Sequence, residues 1–397
     1  MGHPHSLKLE RVRSRMREKG IDVLLSFKPE NSFYLSGFNP ILYSHPVVAI
    51  VPLEGEPVLL LHALRDDHAR SSSWVRDIRL YGAWSTKVTL GPHWQEALTR
   101  ILGDLGHAAG QVGIEEGFVS IQRLRELQHA LPQAQFQDVS KLLDEARMIK
   151  TAPEIADARI AAGITEVGMR SAVEGLAAGG SERDICLASM AAMNRYWADN
   201  FPDVEVADFG SLEGGVLNGL WTWALTGDRQ FLNTDVPTQR KPVSGELVSL
   251  LIWSNANGMH GENERTVAVG AVPASHRKAM DTILRVREEA AALLRPGVPI
   301  PELFQAAKSS LERQGYGKYI PGRIGHGIGL GAHEALSLDA RSPYTLTPGM
   351  LITFEPNLRI AGVCGTQISD TVLITDTGSE FLTTSHPGYL HVAAHAA

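Results

Sequence analysis

The run Met259-His260-Gly261-Glu262-Asn263-Glu264-Arg265-Thr266 sets two carboxylates and an imidazole between apolar flanks at residues 246–253 and 267–269. The flanks are rich in Val, Leu and Ile, so the segment predicts a pair of β-strands. Side chains alternate faces along a strand, which puts His260, Glu262 and Glu264 on one face. Burying that set is costly unless the groups pair, take up protons or hold a ligand. A solvated edge strand is the plainer alternative, and the apolar surroundings argue against it. A reactive site is expected here.

With 397 residues the chain is long enough for two domains, each with its own core. The formal net charge is −7 and there is no basic run, so no nucleic-acid partner is expected. Cys186 and Cys364 are the two cysteines, without CxxC spacing, and suggest neither a disulfide framework nor a thiolate metal site. The start, Met1-Gly2-His3-Pro4-His5, leads into no apolar segment, and no window approaches the ~18 apolar residues of a membrane span. These features predict a cytoplasmic location and no membrane partner.

Leu9, Val12 and Met16 fall on one helical stripe that Gly20 is placed to end. Strand patterns at 21–26, 47–52, 57–61 and 111–114, with helical patterns at 94–105 and 121–131, predict an α/β domain over residues 1–146. A second domain is expected over 147–390. It opens with a helix past Pro153-Glu154 that Gly179-Gly180 breaks, followed by a capping box at Ser181-Glu182-Arg183-Asp184. From Gly215 onward strands predominate, with helices at 275–294 and 301–314, and the tail after Pro387 carries no signal.

Further polar groups lie in this second half. Gly325-His326-Gly327-Ile328-Gly329-Leu330-Gly331 is a Gly-rich turn bearing a histidine, and His333-Glu334 follows it. Pro348-Gly349-Met350 leads through an apolar strand to Glu355-Pro356. Each is weak alone, since the loop lacks the spacing of a phosphate-binding turn. Their recurrence beside the 260–264 group is what points to one site.

The order of these motifs resembles the pita-bread fold of methionine aminopeptidases, prolidases and aminopeptidase P (M24 peptidase-like), and within it the creatinase branch. Gly20-Ile21-Asp22 and Tyr34-Leu35-Ser36-Gly37-Phe38 are similar to the creatinase-type N-terminal domain, and Arg147-Met148-Ile149-Lys150 with Glu154 to the junction that follows it. The resemblance implies a creatinase-type N-terminal α/β domain joined to a C-terminal pita-bread (α+β) catalytic domain. It also implies a homodimer in which the partner's N-terminal domain caps the active site.

Metal-dependent members of this fold hold two divalent ions with two aspartates, one histidine and two glutamates. Glu262, His326 and Glu355 fall on three of those positions, but Leu251 and Ser369 occupy the other two. Leucine cannot ligate and serine replaces a bridging carboxylate poorly. A dinuclear site is therefore not expected, while one divalent ion on Glu262, His326 and Glu355 remains open.

Metal-free creatinase supplies another template. Trp221-Thr222-Trp223 and Glu264-Arg265-Thr266 resemble its sequence, which puts Glu264 on a carboxylate that binds the substrate cation. Thr234 stands where that template has its general histidine, Ile368 where it has a second cation-binding glutamate, and His45, after Tyr43, near its carboxylate-binding arginine. The resulting expectation is a metal-independent hydrolase, without cofactor, of a C–N bond in a small guanidino, amidino or amide compound. His326, Glu262, Glu264, Glu355 and His260 would be catalytic; His333, Tyr43, His45 and Trp223 would bind the small-molecule substrate. Two alternatives are a mononuclear, metal-dependent prolidase-like or aminopeptidase-like hydrolase and a non-catalytic peptide-binding protein of the same fold.

Overall fold

The computed structural model of the protein describes residues 4–84, 86–209, 218–232, 235–361, 363–386 and 388–394. Gly215, Thr234 and Pro387 lie outside the described residues. The chain divides into two compact units, Met1–Arg147 with Asp208–Leu217, and Met148–Ala207 with Asn218–Ala397.

In the first unit, helix Pro4–Lys19 buries Leu9, Val12 and Met16 on one stripe, and Gly20 ends it in a left-handed conformation (φ 65°). Six strands form a mixed sheet among the described residues: β1 (Val23–Ser26), β2 (Val48–Pro52), β3 (Val58–His62), β4 (Asp77–Tyr81), β5 (Gln111–Ile114) and β6 (Gln135–Asp138), in the order β4-β3-β2-β1-β5-β6. The β5–β6 pair is parallel and needs a crossover, which helix Ile121–Ala130 supplies. Leu127 of this helix joins Leu98 and Ile101 of helix Trp94–Asp104 in a core with Val23, Leu25 and Val112.

The second unit contains the longer sheet. Its strands are β7 (Trp221–Thr226), β8 (Leu247–Ala256), β9 (Met259–Val269), β10 (His326–Gly327), β11 (Glu334–Ser337), β12 (Leu351–Phe354), β13 (Leu358–Ile360), β14 (Cys364–Thr366), β15 (Ser369–Ile374), β16 (Ser379–Phe381) and β17 (Leu390–Val392). The main path runs β11-β10-β12-β15-β9-β8-β7, with β16 beside β15 and β17 beside β9; β13 and β14 pair separately. The predicted strand pair is the β8–β9 hairpin. Its two-residue turn, Asn257-Gly258, has positive φ at both positions (48° and 87°), matching the right-handed twist of the strands it joins.

That turn fixes the register, and the register builds the site. Trp223, Leu251, Glu264 and Ser369 are successive cross-strand partners, so one row of one face carries all four. The adjacent row carries Trp221, Trp253 and Glu262. On the opposite face Leu250 pairs with Arg265 and Ile252 with Asn263. Leu250 and Ile252 pack against helices Ala152–Ala177 and Glu182–Asn200 through Ile164, Met169 and Ile185. A second core gathers helices Ala274–Ala291 and Ile300–Arg313 over Ile352, Phe354 and Val372. All eleven residues of β9 are buried, so it is no solvated edge.

Candidate active site

A cavity of about 840 Å³ opens on the Trp223–Glu264 face of the sheet. Glu262, Glu264, His326, His333, Glu355, Trp223, Trp253 and Leu251 all line it. Its clustered carboxylates come from one strand and one strand end: Glu262 and Glu264 from β9, and Glu355 one residue beyond β12. His326 opens β10, where Gly325 lets two backbones approach: a Cβ there would stand 2.1 Å from the Thr353 carbonyl oxygen.

The centre of the group is sparse in hydrogen bonds. His326 Nε2 lies 3.6 Å from Glu262 Oε2 and 3.8 Å from Glu355 Oε1. His326 Nδ1 is 2.9 Å from the Gly327 carbonyl, which can only accept, so Nδ1 donates and a neutral ring keeps its lone pair on Nε2, toward the acids. Glu262 is fully buried and neither of its carboxylate oxygens has a hydrogen-bond partner. A buried carboxylate left this way is expensive, and a bound cation is the ligand that would satisfy it. Ligand atoms of Glu262, His326 and Glu355 lie within 4.8 Å of one another, a set suited to one divalent ion.

Electrostatics agrees with this geometry. Burial, reinforced by Glu262, pushes the Glu355 pKa up to about 7. Burial and the charges of Glu262 and Glu355 also hold Glu264 well above the ordinary carboxylate range, although Gln367 donates to its Oε2 at 2.8 Å. Burial alone would lower the His326 pKa, but the facing Glu262 and Glu355 raise it. His333 is lowered to about 4, by burial and then by the neighbouring His326; its ring lies 4.2 Å from that of His326 and 5.2 Å from that of Trp253. The centre of the site thus holds acids that retain their protons above the ordinary carboxylate range.

His260 is placed differently. It shares the face of Glu262 by alternation but is not among the residues lining the cavity. Its Nδ1 donates to the Gly329 carbonyl at 2.8 Å, and Asn255 Nδ2 stands 3.4 Å from its Nε2. The ring therefore ties β9 to the loop after His326. Tyr43 and His45 belong to the first unit. Tyr43 is buried with its hydroxyl 3.4 Å from Asn39 Oδ1, and burial raises its pKa; the His45 ring lies tilted against that of His62 with centroids 4.2 Å apart. Thr234 lies outside the described residues. Sequence reasoning missed Trp253, Gln367, Lys318, Arg323 and Arg359, all of which line the cavity. Trp253 could have been found by counting back from the Asn257-Gly258 turn, which sets it opposite Glu262.

Residues 156–376 match the model of metallopeptidase family M24, and residues 8–149 that of the creatinase/prolidase N-terminal domain. The putative dipeptidase YkvY of Bacillus subtilis is 26% identical, covering 95% of this chain and 97% of that protein. The prolidase of Pyrococcus furiosus superposes with a TM-score of 0.76 at 25% identity over 94% of this chain and 99% of the other. The Xaa-Pro dipeptidase of Bacillus anthracis gives 0.82 at 22% identity over 98% and 100%.

These matches establish the expected two-part architecture and overturn the expected chemistry. The family is one of metallopeptidases and these relatives are named as dipeptidases and prolidases, so the metal-independent, creatinase-like C–N hydrolase is withdrawn. The geometry agrees with that correction: the Glu262 oxygens have no hydrogen-bond partner, and Glu262, His326 and Glu355 form a cluster that could hold a metal ion. Among the described residues no helix is long and apolar enough to cross a membrane.

Proposed function

The chain belongs to metallopeptidase family M24, and on that premise we propose that it is a prolidase-like dipeptidase working with one divalent ion. The observation that carries this reading is the fully buried Glu262 carboxylate without a partner, facing His326 Nε2 and Glu355. Glu262, His326 and Glu355 hold the ion; a second has no comparable set, because Leu251 and Ser369 occupy the row beside Glu264. When bound, the ion supplies Lewis-acid polarisation of a carbonyl and acidification of water.

The chain's own residues do the rest. The Gly327 carbonyl fixes the His326 tautomer, keeping Nε2 free to ligate. Glu264, held by Gln367 and retaining its proton more strongly than an ordinary carboxylate, is the group to give and take a proton beside the scissile bond. His333, its ring tilted against those of His326 and Trp253, orients the substrate, and Trp223 forms an apolar wall. The homodimer implied by the resemblance stays part of the proposal, to be tested by sedimentation equilibrium.

The decisive experiment pairs elemental analysis with hydrolysis of Xaa-Pro and other dipeptides. One transition-metal ion per chain, with turnover lost on chelation and restored by the metal, is expected. Two ions per chain would overturn the mononuclear assignment, and full turnover in excess chelator would overturn the metal-dependent one.

A further inference from the structure

A second cavity lies in the same unit, on the side of Arg265 and Asp370 rather than of Glu262. Its volume is about 460 Å³, within the usual range of small-ligand sites (roughly 300–1,000 Å³). Three segments enclose it. Leu284, Arg287, Glu288 and Ala291 follow one another at helical spacing, so they form one stripe of helix Ala274–Ala291. Phe354 ends β12 and Phe381 ends β16, and their rings meet edge to face at 6.3 Å. The third segment, residues 383–385, is drawn in by Glu166, whose Oε1 accepts from the backbone N–H groups of Thr384 and Ser385 at 2.6 and 2.9 Å.

Apolar and charged surfaces meet inside it. Leu284, Ala291 and Phe381 supply apolar walls, and Phe381 stays 36% exposed although it is a large apolar side chain. Arg287 is buried among them, its guanidinium carbon 5.0 Å from the centre of the Phe354 ring. Its Nη1 donates to the Phe354 and Ile368 carbonyls at 2.8 Å and its Nη2 to Asp370, while its Nε has no acceptor among the described residues. Arg265 and Arg287 share the single carboxylate of Asp370, so this part of the lining carries surplus positive charge; Glu288, the other acid here, is exposed. Burial lowers the Arg287 pKa to about 10 against the pull of Asp370, which leaves the group charged near neutral pH. A buried cation with an open N–H beneath apolar walls matches a carboxylate on a flat apolar body.

We propose that this cavity is a second ligand site, which binds small aromatic carboxylates with the acid on Arg287 and the ring against Leu284, Ala291 and Phe381. Its occupancy bears on the other face of the sheet. Arg287 holds the Phe354 carbonyl, one residue before Glu355, and Arg265 holds the Glu264 carbonyl at 2.7 Å. A ligand that engages the Arg287 guanidinium therefore acts on the strand end that carries Glu355, and binding here is coupled to cation binding at Glu262, His326 and Glu355. The coupling rests on the cation site proposed above; the ligand site does not.

Calorimetry on the full-length, metal-stripped protein would compare phenylacetate with phenylacetamide. Phenylacetate should bind roughly 10- to 100-fold more tightly, the ratio that a charge-assisted hydrogen bond supports. Ala291→Phe, which fills the cavity from the helix, should abolish that binding, and Leu284→Trp is a second plug should the first variant fail to fold. Glu262→Gln, across the sheet, should leave it intact. Binding that survives both plugs, or that is lost with Glu262→Gln, would overturn the proposal, as would equal binding of acid and amide, or none of either. Coupling is read by titrating Mn²⁺ with and without saturating phenylacetate: its Kd should change roughly five-fold or more in the wild type and not in the plugged variants. An unchanged Kd would overturn the coupling alone. Absence of Mn²⁺ binding under both conditions, with phenylacetate still bound, would count against the cation-site reading and leave the ligand site standing.

Discussion

Strand β9 carries buried charge on both faces, and the two faces treat it in opposite ways. Behind the cavity, Arg265 and Arg287 converge on Asp370, with Arg265 Nη2 at 2.6 Å from Asp370 Oδ1 and Arg287 bonded to Oδ2. Thr383 adds a donor at 2.8 Å, and other guanidinium hydrogens go to carbonyls of Glu264, Ser369, Phe354, Ile368 and Ser385. In front, on the alternate residues of β9, Glu262 has no hydrogen-bond donor and Glu264 has a single neutral one. Burial depth is similar on both sides. The contrast is one of satisfaction rather than burial: the closed network fixes the strands, and the open one leaves its carboxylates short of donors.

The largest separation between the faces should come from their acids. Glu262→Gln is expected to abolish metal uptake and to cut peptidase turnover roughly a thousand-fold or more, since the ion's contribution is several kcal/mol. The melting temperature of the metal-free protein should not fall, because a neutral amide is cheaper to bury than an unpaired carboxylate. A large drop in that melting temperature would place Glu262 in the scaffold. Asp370→Ala is the mirror experiment. It strands two buried guanidinium groups and should destabilise the protein by about 3–5 kcal/mol, read by denaturant titration. Little change in midpoint would break the comparison.

A smaller effect should appear with pH. The Glu355 pKa is raised to about 7 in the folded protein, above its ordinary value near 4.5, so the folded state holds the proton longer than the unfolded one. Stability of the metal-free protein should therefore decline as pH rises from about 4.5 to about 7. Glu355→Gln should flatten that part of the profile. Metal uptake releases the same proton and should strengthen over the same range. A metal-free melting curve that improves between pH 5 and 7, through other groups or not, and is unaltered by Glu355→Gln would refute the assignment. Gly258→Ala serves as a small-effect control. The left-handed position costs about 1–2 kcal/mol to fill, yet the metal affinity of the folded fraction should stay unchanged, because register and ligands are retained.

Local signals revealed most of the fold. The β8–β9 hairpin was legible because Asn257-Gly258 and two apolar runs agree on one register, and helix Pro4–Lys19 because its stripe meets Gly20. The convergence of Glu262, His326 and Glu355 was legible through the order of motifs, since they are up to 93 residues apart in sequence (262 to 355). What sequence could not show was partnering. His260 looks as reactive as Glu262 on the strand, but Gly329 engages its Nδ1 and Asn255 approaches its other nitrogen. Leu251 and Ser369 stand at two of the five ligand positions and suggest metal-independent chemistry in the sequence, whereas in the fold Glu262, His326 and Glu355 lie together.

The pleat of β9 also has a consequence for inheritance. Alternation sends odd-numbered residues to the Arg265–Asp370 network and even-numbered ones toward the cavity. A substitution on the cavity side, such as a leucine at 251 or a serine at 369, alters what the protein can hold without loosening the clamp that keeps its strands together. Chemistry and architecture are written on alternate residues of the same strand, so one can drift through generations of mutation while the other stands still.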